Sequence, residues 1–77
     1  MLMETTRVQS TTLTTVAYDG HRNLLQLCFQ DGSIYDYFGV PAQTHRGLLA
    51  SASKGVYFNL EIRGKFPYAT CHKTKTN

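Results

Sequence analysis

The dipeptide Asp31-Gly32 constrains this chain most, because it stands between two stretches of alternating hydrophobicity and so dictates an antiparallel hairpin. Before it, Leu25, Leu27 and Phe29 point one way while Gln26 and Gln30 point the other, as a half-buried strand requires. Ser33 to Phe38 supplies the returning strand. The length of the loop decides where the tyrosines lie. A two-residue turn pairs Phe29 with Ile34 and sends Tyr35 and Tyr37 to the polar face beside Gln26 and Cys28. A three-residue loop, a type I turn with Gly32 in a left-handed bulge, pairs Leu27 with Tyr35 and Leu25 with Tyr37. We favour the second register. It gathers Leu25, Leu27, Phe29, Tyr35 and Tyr37 on one face and leaves Asp36 with Gln26 on the other. Burial of two large rings outweighs the modest difference between turn types.

Upstream, Thr14 to Tyr18 is β-branched and aromatic and closes on the turn residues Asp19-Gly20, which extends the hairpin into a meander. Residues 4–12 are rich in Thr and Ser and read as loosely ordered before a strand begins near Leu13. Pro41 opens a helix, since its missing N–H falls where no partner is needed. His45, Leu48, Leu49 and Ala52 share a face of it. Gly47 is unfavourable there by about 1 kcal/mol relative to Ala, and close approach to the sheet is its expected compensation. Gly55 reads as the left-handed residue that ends the helix. Val56, Phe58, Leu60 and Ile62 then alternate, which predicts a strand, although Asn59 is also able to cap one helical turn. Phe66-Pro67-Tyr68 forms a last extended piece.

The expected fold is therefore α+β: an antiparallel meander of three to four strands with one helix packed on it, small and barrel-like. A chain of 77 residues holds one domain, spanning 1–77 with an ordered core at about 8–68. Such a chain buries only about 60–65% of its unfolded surface, so the core must lean on its rings and branched aliphatics. The 42% hydrophobic and 17% charged content argues against disorder.

The residues of catalysis are scattered. His21, His45, His72, Cys28 and Cys71 lack zinc-ligand spacing, and the adjacent Cys71-His72 pair points apart on extended chain. The glycines fall in turns and caps, not in a phosphate loop, and the five acids form no paired-carboxylate pattern. No enzyme, metal or cofactor is expected. Met1-Leu2-Met3-Glu4-Thr5-Thr6 lacks a basic segment leading into an apolar run, and nothing reaches the roughly 20 apolar residues that span a bilayer. A cytoplasmic protein with no membrane partner is expected, with Cys28 and Cys71 as reduced thiols and Cys28 a packing residue.

Binding residues are easier to find. Tyr35 and Tyr37, two apart on one strand, put both rings on one face, where they either stack on bases or fill the core. Lys54, Arg63 and Lys65 flank Tyr57, Phe58 and Asn59, a mixture of cations, rings and an amide suited to holding a phosphate and a base. The same cations equally suit a solvated face on which Arg63 pairs with Glu61 or Asp36. Net charge of +3 permits such contacts without demanding them. Arg22 and Arg46 would extend the basic surface if they converge with it. The segment Lys73-Thr74-Lys75-Thr76-Asn77 reads as a solvated terminus.

Three stretches taken together carry a resemblance. They are Tyr18-Asp19; Leu25-x-Leu27-x-Phe29-x-x-Gly32-x-x-Tyr35-x-Tyr37-x-x-Val40-Pro41; and Ser53-Lys54-Gly55-x-Tyr57-Phe58-Asn59-x-x-Ile62-Arg63. In order and spacing the chain resembles the KTSC domain over about residues 8–68. That small domain occurs alone in bacterial and phage proteins and at the C-terminus of some lysyl-tRNA synthetases. Its Tyr-x-Tyr motif falls on Tyr35 and Tyr37, and the resemblance implies a binding module with RNA as partner. The candidate nucleic-acid contacts are Tyr35, Tyr37, Lys54, Tyr57, Asn59, Arg63 and Lys65. Two other readings stay open. One is a protein-interaction or self-associating domain, a homo-oligomer built on strand edges. The other is a pocket for a small phosphorylated or nucleotide-like ligand, formed by the helix, Asn59 and Arg63.

Overall fold

The computed structural model describes residues 3–71; the basic segment 73–77 discussed above lies outside the described residues. Its elements are β1 (Glu4–Arg7), β2 (Leu13–Asp19), β3 (Leu24–Phe29), β4 (Ile34–Phe38), α1 (Ala42–Ala50), α2 (Lys54–Tyr57), a π-helical turn (Phe58–Ile62) that continues α2, and β5 (Tyr68–Cys71). The strands form one antiparallel sheet in chain order. It is α+β, as expected, with the helical elements gathered on one face.

The central hairpin takes the longer loop. The Gly32 amide donates to the Phe29 carbonyl and the Phe29 amide to the Ser33 carbonyl, both at 2.9 Å. Gly32 sits at φ 92°, a conformation that favours glycine over any side chain. Leu27 therefore faces Tyr35 and Leu25 faces Tyr37. On the opposite face Gln26 Nε2 donates to Asp36 Oδ1 at 2.9 Å. The core holds Leu13, Val16, Leu25, Leu27 and Tyr37 from the sheet against Leu48, Phe58 and Ile62 from the helical side. Leu13 and Val16, three apart, both reach that core because a bulge in β2 inserts one residue between them.

Several expectations need correction. The sheet has five strands, not three or four, and it is open: β1 and β5 are its edges and do not pair, so it is no barrel. The stretch read as loosely ordered contributes β1, where the β-branched Thr5 and Thr6 pair with Ala17 and Val16. The last extended piece starts one residue after Pro67 and runs on as β5 against β4.

The segment 56–63 is helical. Ser53 Oγ accepts from the Val56 amide and starts α2, a cap that the alternation of apolar residues concealed. Phe58 and Ile62, four apart, are buried, whereas Val56 and Leu60 stand 56% and 62% exposed. A strand would have sent all four to one side.

Gly55 accordingly lies inside α2 and not at a left-handed helix end; α1 stops at Ala50, with Ser51 donating its amide back to the Leu48 carbonyl. Pro41 is the capping residue just outside α1, in extended conformation. His45 and Leu48 are buried on the core face of α1, Leu49 half-buried, and Ala52 exposed beyond its end. Gly47 does make a close approach, but to the Tyr57 phenol: a Cβ there would lie 2.8 Å from Tyr57 Cζ.

Candidate functional site

Antiparallel pairing builds a cluster of phenol rings at the β4–β5 edge. Tyr35 and Tyr37 share a face of β4, and β5 sets Tyr68 directly opposite Tyr37 on that face. The ring centroids form a triangle, 6.3 Å for Tyr35–Tyr37, 5.5 Å for Tyr35–Tyr68 and 5.6 Å for Tyr37–Tyr68. Phe29 and Phe58 make the floor, each meeting a tyrosine edge-to-face and each other at 5.3 Å. Above them lies a hollow of about 320 Å³, lined by Asp31 and Ser33 from the hairpin and by Arg63 and Gly64 from the helical side. Its depth is graded: Tyr37 is 4% exposed, Tyr35 half-buried and Tyr68 59% exposed.

The hydroxyls separate structural from available tyrosines. Tyr18 donates to the Val40 carbonyl at 2.6 Å, and Tyr57 to the Thr44 carbonyl at 3.3 Å. Among the described residues the hydroxyls of Tyr35, Tyr37 and Tyr68 find no such partner, and all three rings line the hollow. Burial pushes the Tyr37 phenol above its ordinary value; Tyr35 and Tyr68 add to the rise, and Arg63 opposes it. Tyr37 thus keeps its proton at neutral pH and remains a donor. The Ser33 hydroxyl and amide hold the Asp31 carboxyl below the usual range, so that group is an ionised acceptor.

Arg63 owes its position to the π-helical turn. Its amide donates to the Phe58 carbonyl, five residues back, at 2.9 Å. This wider ring turns Phe58 and Ile62 inward while Asn59 and Arg63 face out. Arg63 Nη1 donates to Asn59 Oδ1 at 3.3 Å, so its partner is Asn59 and neither Glu61 nor Asp36. Of the residues singled out from sequence, Tyr35, Tyr37 and Arg63 come together in the hollow, and Asn59 steadies Arg63.

The rest stand apart from it. Lys54 Nζ donates to the carbonyls of Leu49 and Ser51 at 3.1 and 2.8 Å and fastens the end of α1. Tyr57 packs on Gly47, and Lys65 is exposed on the turn after Arg63. Arg22 pairs with Asp19 at 2.8 Å, and Arg46 borders a different hollow beside Tyr18 and His45. Sequence reasoning missed Tyr68 and Asp31. The first depends on the β4–β5 register; the second was fully accounted for by its turn.

Among the described residues no three His, Cys, Asp or Glu side chains gather as metal ligands, and no helix is long and apolar enough to cross a bilayer.

Comparison with known proteins places this geometry in context. The family model of the KTSC domain matches residues 9–66. A lysine–tRNA ligase of Trichormus variabilis is 41% identical over 51 residues, which take in 66% of this chain but 9% of the ligase. A lysine–tRNA ligase of Nostoc sp. is 43% identical over the same length, again 9% of that protein. The chain therefore spans a small fraction of these ligases. An uncharacterized protein of Stutzerimonas stutzeri is 33% identical across 74% of this chain and 80% of its own. The crystal structure of a KTSC domain protein from Yersinia pestis superposes with a TM-score of 0.87 at 30% identity, covering 91% of this chain and 99% of that one.

Proposed function

The chain belongs to the KTSC domain family, and from that premise we propose that it is a non-catalytic module that binds single-stranded RNA in the tyrosine-lined hollow. The observation that carries this reading is the triangle of Tyr35, Tyr37 and Tyr68, whose hydroxyls are unpartnered among the described residues while Arg63 stands beside them. Tyr68, exposed, and Tyr35, half-buried, offer ring faces that stack on any base, each stack worth about 1–3 kcal/mol, while the buried Tyr37 ring backs them; the hydroxyls and the guanidinium supply donors to sugar and phosphate. The hollow is at the small end of ligand pockets and suits about one nucleotide. Two of the relatives that this chain matches over 51 residues are ligases whose name specifies a tRNA, which supports RNA over other polyanions.

Fluorescence anisotropy with labelled single-stranded oligoribonucleotides tests the reading. With Arg63 and Lys65 on one turn as the phosphate contacts, log K should fall against log salt with a slope of about −1.4. That is a loss of about sevenfold between 50 and 200 mM salt. Arg63→Ala should halve the slope. Absence of binding at low ionic strength, or binding indifferent to both salt and Arg63, refutes the proposal.

A further inference from the structure

We infer that the hollow selects bases bearing an exocyclic amine, cytosine over uracil, through the uncommitted carboxylate oxygen of Asp31. This rests on the RNA reading and adds to it the chemistry of the base. Asp31 Oδ1 accepts from the Ser33 amide at 2.9 Å and from the Ser33 hydroxyl at 2.7 Å. Asp31 lines the hollow, and those two bonds fix its carboxylate and commit the Ser33 hydroxyl proton. The other oxygen, Oδ2, keeps its lone pairs. The hairpin end of the hollow therefore offers an acceptor, while Arg63 on the helical side offers only donors.

The turn does not require that charge. Asparagine supports the same side-chain-to-amide bond and is at least as favourable before glycine in a hairpin. A carboxylate within reach of a polyanion weakens binding unless it receives a proton donor from the ligand. Cytosine presents a 4-amine at the edge where uracil presents a 4-carbonyl. The two rings are the same size, so stacking on the tyrosines does not separate them. The amine donates to Oδ2; the carbonyl sets lone pair against lone pair. Adenine and guanine also carry amines, but cytosine against uracil isolates the one contact.

The test compares labelled hexacytidylate and hexauridylate at low salt with the wild-type chain and Asp31→Asn, each checked for folding by thermal melting. The wild type should bind hexacytidylate about tenfold more tightly, the range of one hydrogen bond to a charged acceptor. Asp31→Asn, whose Oδ1 keeps the Ser33 bonds while its amide nitrogen takes the place of Oδ2, should melt within a few degrees of wild type, bind hexauridylate more tightly, and lose or invert the preference for hexacytidylate. Equal wild-type affinities, or a preference that survives Asp31→Asn, overturn this inference and leave the RNA reading standing. Failure of both oligonucleotides to bind overturns both.

Discussion

Mild acidification should destabilise this protein through His45. The ring is 5% exposed, stacks on Tyr18 at 4.5 Å and 15°, and buries Nε2 with no hydrogen-bond partner among the described residues. Desolvation pushes its pKa below 6.5; Arg46 pushes the same way, and Glu4 opposes both. Tyr18, Asp19 and His21 also face this hollow. Between the folded pKa and about 6.5 the unfolded chain binds the proton that the folded chain refuses, so stability is full above that window and falls as pH falls through it. The slope is at most about 1.4 kcal/mol per pH unit. Against a total of roughly 4–12 kcal/mol for a chain of this size, one pH unit is a large share. It corresponds to about 5–10 °C in melting temperature. Asp19 and Asp31 are held below 3.8, so their contributions are lost only at lower pH and do not blur the window. Urea denaturation in steps from about pH 7.5 to 5 reads the slope directly. His45→Phe, which keeps a ring on Tyr18, should flatten it. A wild-type profile already flat, or an unchanged slope in His45→Phe, refutes the reasoning.

Three further outcomes follow from packing. Gly47→Ala should destabilise by about 1–3 kcal/mol in urea, despite alanine's better helix propensity, because its Cβ meets the Tyr57 ring. Tyr18→Phe should cost about 1–3 kcal/mol by stripping the buried Val40 carbonyl of its donor, whereas Tyr35→Phe, losing no internal bond, should leave the melting temperature nearly unchanged. Leu60→Glu should stay within about 0.5 kcal/mol of wild type while Ile62→Ala costs about 2–5 kcal/mol; equal penalties at the two positions would mean a strand there after all.

The hairpin was readable because two independent signals agreed: Asp31-Gly32 set the loop, and only one register buried the tyrosines with Leu25 and Leu27. Residues 56–63 were not, because Phe58 and Ile62 lie four apart and satisfy a period of two as well as one of 3.6. What decided the matter was the Ser53 cap and the packing of Tyr57 on Gly47, a contact between residues ten positions apart that no local pattern reveals. β1 escaped notice because it is only four residues long and stands mostly in solvent, whereas β5 showed in the sequence only as the extended piece at Phe66-Pro67-Tyr68, without its continuation to Cys71. For the site, Tyr35, Tyr37 and Arg63 were legible from residue type and spacing. Lys54 and Tyr57 have the same residue chemistry but are engaged by carbonyls within the fold, a distinction that only coordinates make. Tyr68 joins the cluster solely through the register of β5 on β4.

The most direct measurement is a map of amide and tyrosine-ring chemical shifts while a short single-stranded oligoribonucleotide is added at low salt. We predict movement concentrated at Tyr35, Tyr37, Arg63 and Tyr68 and at the Asp31–Ser33 turn, with Tyr18, His45 and Tyr57 still. Shifts confined to the α1 side around His45 and Arg46, or a spectrum that does not change, would contradict it.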